Sequence, residues 1–142
     1  MSGPVVLVMG TPCSGKSTYI RENFPASVDL EILDEKSLKN LGRILRYLNA
    51  VFYEGKSAII EGVFSDRQRR RRLVEFVLDR NHQIESRFLD TPLEICLERN
   101  QERDPKLRSS PAKIRKISKE ISIPDFFEGF ARIEIIRGNQ RW

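Results

Sequence analysis

The stretch "GTPCSGKST", Gly10 to Thr18, places two glycines with four residues between them and follows the second at once with Lys16 and Ser17. Residues of these types at this spacing can hold a nucleotide's phosphates. The glycines let backbone N–H groups turn inward around phosphate oxygens, and a helix starting there adds partial positive charge. Gly10, Thr11, Pro12, Cys13, Ser14, Gly15, Lys16, Ser17 and Thr18 are therefore expected to line the nucleotide. Lys16 has the reach for the β- and γ-phosphates, and the Ser17 hydroxyl suits Mg²⁺. The pattern carries this meaning only where it follows a strand and opens a helix. Here the apolar run Val5 to Met9 precedes it, and Lys16 to Glu22 reads as a helix.

Passing a phosphoryl group to a hydroxyl requires a group to take the proton, and a carboxylate is the usual solution. Asp34, at the end of the apolar segment "VDLEIL", is the candidate base, with an N-cap for the helix beginning near Glu35 as the alternative role. Glu61 follows "SAII" and can hold a metal-bound water or orient the loop. Asp90 closes "IESRFLD", so three carboxylates are expected at one sheet edge. Arg99 and Arg103, four apart on one helix face, can point together at a phosphate, or else suit the dipole of a helix end. In "RQRRRR", Arg67 to Arg72, cations crowd the first turns of a helix and oppose its dipole. Arg69 shares a face with Leu73 and Phe76 and is the one expected to meet an acceptor phosphate; Arg67, Arg70 and Arg71 read as a solvated face. Phe64, Tyr53, Phe126 and Phe127 could stack bases along a single strand, or could be core.

These groups need a scaffold that gathers them. Short β-branched or aliphatic runs alternate with segments of helical period, which predicts an α/β fold. Strands are expected at Val5–Met9, up to about Leu33, at Ser57–Gly62, Ile84–Asp90 and Arg132–Ile136. One helix packs through Leu41, Ile44, Leu45, Leu48, Val51 and Phe52, and another through Leu73, Phe76 and Val77. "SDRQ" predicts a capping box with Ser65 as N-cap and Gln68 as its partner; "TPLE" predicts a second, with Thr91 and Glu94. The charged stretch after Arg103, interrupted by Pro105, Pro111 and Pro124, has helical spacing only through Ile114, Ile117 and Ile121 and reads as a mobile flap. In a parallel sheet every strand delivers its last residue to one edge, so the ligand crevice lies there.

With 142 residues, 39% hydrophobic and 32% charged, the chain has room for one folded domain, residues 1–142, with a lid near 100–120. The run Val5–Met9 is too short to span a bilayer and lacks a signal-type flank, so a cytoplasmic protein without membrane contact is expected. Cys13 and Cys96 suit neither a disulfide framework nor a zinc site, and the single histidine, His82, gives Cys13 no base. The net charge of +5 favours a polyanionic partner without deciding for one.

"GTPCSGKST", the acid ending the second strand, "IIEGVFSDRQRRR" and "FLDTPLEICLERNQERD" together resemble the kinase domain of phage polynucleotide 5′-hydroxyl kinases and their relatives among P-loop phosphotransferases, over nearly the whole chain. The resemblance implies a five-stranded parallel sheet of order 2-3-1-4-5 with helices on both faces and a short lid. It also implies ATP and Mg²⁺, with Lys16 and Ser17 in the loop, Asp34 as base, and Arg99 and Arg103 on the lid. Such kinases carry an Arg three residues after the base to grip the acceptor's 3′-phosphate; here Ser37 stands there, and Lys36 or Lys39 is the expected substitute. No phosphatase or ligase segment is expected beside this domain. The expected reaction moves the γ-phosphate of ATP to the 5′-hydroxyl of DNA or RNA. The rivals are a small-metabolite kinase and a nucleotide-dependent binding protein that forms no phosphorylated product.

Overall fold

The structure, a computed structural model, describes residues 3–137, so the two ends of the expected domain lie outside the described residues. Five strands, β1 (Val5–Met9), β2 (Leu30–Asp34), β3 (Ser57–Gly62), β4 (Ile84–Asp90) and β5 (Arg132–Arg137), form one sheet in the order 2-3-1-4-5. Every neighbouring pair is parallel. The inner strands β1 and β3 are buried on both sides, which explains their apolar runs, whereas inner β4 carries Glu85, Ser86 and Arg87 between Ile84 and Phe88.

Each parallel pair needs a crossover, and six helices supply these connections: α1 (Lys16–Asn23), α2 (Glu35–Leu38), α3 (Leu41–Tyr53), α4 (Arg67–Asp79), α5 (Leu93–Glu102) and α6 (Pro111–Glu120). On one face Val6, Val8, Ile59 and Leu89 meet Ile20 of α1. On the other, Leu7, Met9, Leu33 and Ile60 meet Ile44, Leu48 and Val51 of α3 and Leu73, Val74 and Val77 of α4. Of the expected stripe on α3, Leu41, Ile44, Leu48 and Val51 are buried and Leu45 and Phe52 partly so; on α4 Val74 is buried and Phe76 only partly.

Three local expectations are corrected. The N-cap of α4 is Asp66, whose carboxylate accepts from the Gln68 N–H at 2.8 Å; Ser65 does not serve. At α5 the cap position falls to Pro92, and the Thr91 hydroxyl instead donates to the Ser14 carbonyl at 2.7 Å, bracing the glycine loop. The presumed solvated face of α4 contains a buried cation. Arg70 is 0% exposed, and its guanidinium bonds Glu128, Ser122 and the Phe64 carbonyl. Arg67 pairs with Asp125, Arg69 with Glu35 and Arg71 with Glu75, so four carboxylates offset the charge crowded at this helix start.

The stretch expected as a mobile flap with helical spacing only in its middle forms α6 there; Ile114 is fully buried, and Ile121, just after the helix, packs on the core. Its entry is pinned by Asn100, 1% exposed, which accepts from the Ser109 N–H at 2.9 Å and donates to the Ser109 carbonyl at 2.8 Å. No helix among the described residues is long and apolar enough to cross a membrane.

Candidate active site

The β1–α1 turn holds its shape through two left-handed residues, Cys13 (φ 66°) and Gly15 (φ 103°). Gly15 has no alternative: beyond its φ, a Cβ there would stand 3.2 Å from Nη1 of Arg99. Gly10 is excluded from change by contact, since a Cβ would meet the Ser14 Oγ at 2.6 Å and the Leu89 carbonyl at 3.0 Å. Ser14 Oγ lies buried with no partner among the described residues, and Lys16 folds back so that its ammonium donates to the Gly10 and Thr11 carbonyls at 2.9 Å each. The Lys16 side chain is only partly covered, yet its ammonium lies inside the loop. Desolvation there lowers its pKa from 10.5 to about 8, against the opposing attraction of Glu61.

Strand alternation explains which carboxylates gather. Val8, Glu61 and Asp34 are in register across β1, β3 and β2 and therefore point to the same face, the one that α1 covers. Ser17, in the first turn of α1, donates its hydroxyl to Glu61 at 2.6 Å. Asp34 does cap α2, accepting from the Lys36 N–H at 3.0 Å and the Ser37 hydroxyl at 3.1 Å. Capping does not preclude the base role, because each oxygen keeps a lone pair for a further donor. Ser37, the departure from the resembled pattern, thus holds the candidate base in place.

Two clefts open at this edge. The first, about 320 Å³, is lined by Cys13, Gly15, Lys16, Ser17, Thr18, Glu61, Arg99 and Arg103. The second, about 450 Å³, adds Pro12, Asp34, Glu35, Lys36, Gly62, Val63, Ser109, Lys113 and Ile117, and shares Cys13, Lys16, Ser17, Glu61 and Arg103 with the first. Arg99 reaches the Cys13 carbonyl at 3.3 Å; Arg103, just past the helix end, donates to the Leu107 carbonyl at 3.3 Å. Of the expected site residues, Asp34, Lys36, Glu61, Arg99 and Arg103 border these clefts with Pro12, Cys13 and Gly15 to Thr18 of the loop, whereas Gly10, Thr11, Ser14, Lys39, Arg69 and Asp90 line neither. Lys39 is the left-handed C-cap of α2, Arg69 is held by Glu35 at 2.8 Å beside the Phe64 ring, and Asp90 is bonded by Arg137 of β5. The expected convergence of three carboxylates is therefore a convergence of Asp34 and Glu61 joined by Glu35.

Glu35 escaped the sequence reading. One of its oxygens accepts from the Val63 N–H at 2.9 Å and the other from Arg69, while a Cβ at Gly62 would lie 2.8 Å from both the Glu35 Cβ and the buried Phe64 ring. Its signal was only an acid directly after Asp34. Lys113, Ile117 and Ser109 were also missed as cleft residues, although Lys113 and Ile117 stand four apart beside the core-facing Ile114. Of the four aromatics, Phe64 is core at 1% exposed, whereas Tyr53, Phe126 and Phe127 are exposed, and none of them borders either cleft. Cys13 Sγ faces Asn100, burial pushes the Cys96 thiol up, and His82 stacks on Phe52, so no cysteine–histidine pair forms.

The donor set suits a magnesium nucleotide: a rigid loop with an unpartnered buried hydroxyl, an interior ammonium, and one hydroxyl beside one carboxylate. Among the described residues no three His, Cys, Asp or Glu side chains form a metal cage, so a divalent ion here would depend on phosphate oxygens and water as further ligands.

Neither protein-family models nor curated protein sequences match this chain. Solved structures do. A sugar kinase from Janibacter sp. HTCC2649 superposes with a TM-score of 0.74 at 18% identity, over 98% of this chain and 87% of that one. A gluconokinase from Sinorhizobium meliloti 1021 gives 0.65 at 17% identity, over 98% and 84%. A chain of the Pnkp1/Rnl/Hen1 RNA repair complex gives 0.67 at 16% identity, over 84% of this chain and 44% of that one. At such identities likeness establishes architecture, and the architecture is that of the P-loop kinases, with the 2-3-1-4-5 parallel sheet.

Proposed function

We propose that this chain is an ATP- and Mg²⁺-dependent phosphotransferase whose acceptor is the 5′-hydroxyl end of DNA or RNA. One observation carries the reading: the two clefts meet over Lys16, Ser17, Glu61 and Arg103, with the glycine loop and Arg99 on the first and the carboxylate of Asp34 on the second. Donor and acceptor pockets that share a cation, a metal-binding hydroxyl and a lid arginine are what in-line transfer requires. In this reading Lys16 leaves the loop carbonyls for the β- and γ-phosphates, Ser17 and Glu61 hold Mg²⁺ directly or through water, and Asp34 takes the acceptor proton. Arg99 and Arg103 offset charge on the transferring group. The bound nucleotide with its ion supplies the phosphoryl group and much of the positive field around it.

Acceptor class rests on charge. Lys36, Arg103 and Lys113 border the second cleft, and a polyanionic strand end would meet them favourably. A second reading, a small-metabolite kinase, draws on that cleft's volume of about 450 Å³, enough for a single sugar, and on the neighbours named as sugar kinase and gluconokinase. Incubation with γ-labelled ATP and, separately, a 5′-hydroxyl oligonucleotide, glucose and gluconate tests both. Labelled strand is the expected product; label confined to a sugar would replace the first reading with the second, and slow hydrolysis without any labelled acceptor would leave a nucleotide-dependent switch.

A further inference from the structure

The charges bordering the second cleft do not cancel. Of its three carboxylates Glu35 is paired with the Arg69 cation, while Asp34 and Glu61 accept from neutral donors and keep their charge, so among the described residues two unpaired carboxylates face four cations, Lys16, Lys36, Arg103 and Lys113. Two of its cations, Lys16 and Arg103, donate to backbone carbonyls and belong to the phosphate side. The ammonium groups of Lys36, on α2, and Lys113, on α6, have no partner among the described residues and stand exposed in the same cleft. Beside them the lining is apolar, through Ile117, Val63 and Pro12.

The wall made by α6 is built to keep its shape. Ile114 is buried and Asn100 clamps Ser109, next to the Ser110 N-cap, so the side chains four apart on the adjacent face, Lys113 and Ile117, are presented to the cleft by a fixed element. A lysine fixed one turn from an isoleucine recognises a ligand with an anion at one end and an apolar ring at the other.

We infer that α6 determines acceptor specificity, with Lys113 and Lys36 holding an anionic group of the acceptor while Ile117 covers its ring, so that the acceptor is a nucleoside unit carrying a phosphate rather than a neutral or acidic polyol. This rests on the acceptor assignment of the second cleft made above. A neutral sugar would leave both ammonium groups without a direct anionic partner, and an acidic sugar would supply the anion but no flat apolar body.

The test measures binding by calorimetry at low salt, on protein saturated with Mg²⁺ and ADP, for four probes: thymidine 3′-monophosphate, thymidine, gluconate and glucose. Thymidine 3′-monophosphate should bind tightest. Lys113→Ala should weaken it about tenfold, the worth of one charge-assisted contact, leave thymidine unchanged, and be rescued by Lys113→Arg. Ile117→Ala should weaken thymidine and its phosphate alike, by about threefold, and spare gluconate. Equal effects of Lys113→Ala on all four probes, no effect on any, or failure of the parent protein to bind thymidine 3′-monophosphate would each overturn the inference. The two proposals fail separately. If the parent labels no oligonucleotide yet the binding pattern holds, the reaction assignment falls and the α6 assignment stands; labelled strand without dependence on Lys113 gives the reverse.

Discussion

Arg70 and Glu128, fifty-eight residues apart, form an ion pair at 2.8 Å with side chains 0% and 2% exposed. The pair ties the start of α4 to the chain that returns from α6 toward β5, and Ser122 and the Phe64 carbonyl complete the guanidinium's partners. Removing one member of such a pair strands the other without water. Arg70→Met should therefore cost roughly 3–5 kcal/mol in urea unfolding, while Arg71→Ala, which breaks an exposed pair with Glu75, should stay within about 0.5 kcal/mol. A loss for Arg70→Met as small as for Arg71→Ala would return Arg70 to the solvated face.

The Lys16 ammonium predicts a pH profile. Its pKa is lowered in the fold, from 10.5 to about 8, so between those values the unfolded chain binds more protons and the empty protein gains stability as pH rises. A bound triphosphate favours the protonated form, so nucleotide affinity should be flat below about pH 8 and fall up to tenfold per unit above it, until the ordinary lysine range is reached. Titration of nucleotide binding across pH 6.5–10 checks this as an order-of-magnitude expectation, and an affinity insensitive to pH would separate Lys16 from the phosphates. Lys16→Ala should abolish turnover.

Asp34 and Arg103 should divide the chemical step. Asp34→Asn keeps the cap geometry but cannot take a proton, so it should spare ATP binding and lower kcat by roughly 10² to 10⁴. Arg103→Ala should slow transfer with little change in stability, since the one side-chain bond it makes among the described residues, to the Leu107 carbonyl, is exposed. Single-turnover kinetics distinguish these losses from weaker binding, and a parental rate for either variant would remove that residue from the reaction.

Asn100 should matter for order rather than chemistry. Asn100→Ala deletes two hydrogen bonds to Ser109 from a buried position and should cost about 2 kcal/mol. Faster proteolysis between Arg103 and Ser110 would accompany it, and an unchanged cleavage rate would mean that the entry to α6 is held elsewhere.

Elements with short-range causes were legible in the residues. The glycine loop depends on φ values and a close approach that only Gly15 and Gly10 permit, and α3 on a period that repeats every three to four positions. The tips of β2 and β3 were legible because apolar runs end there, which brought Asp34 and Glu61 forward as candidates. The caps of α4 and α5 were misread where two adjacent residues compete: Asp66 displaced Ser65, and a remote carbonyl claimed the Thr91 hydroxyl.

By itself, then, the chain's order of residue types determined the α/β class, the phosphate loop and the acids at the strand tips, because each follows from backbone preferences and burial over a few residues. Only the tertiary structure decided which arginine of "RQRRRR" is buried, that Glu35 braces Val63 and Arg69, and that Lys113 and Ile117 border the same cleft as Asp34. The physical reason is that these charged side chains take their roles from partners 28 to 58 residues away, and no local period encodes where those partners arrive.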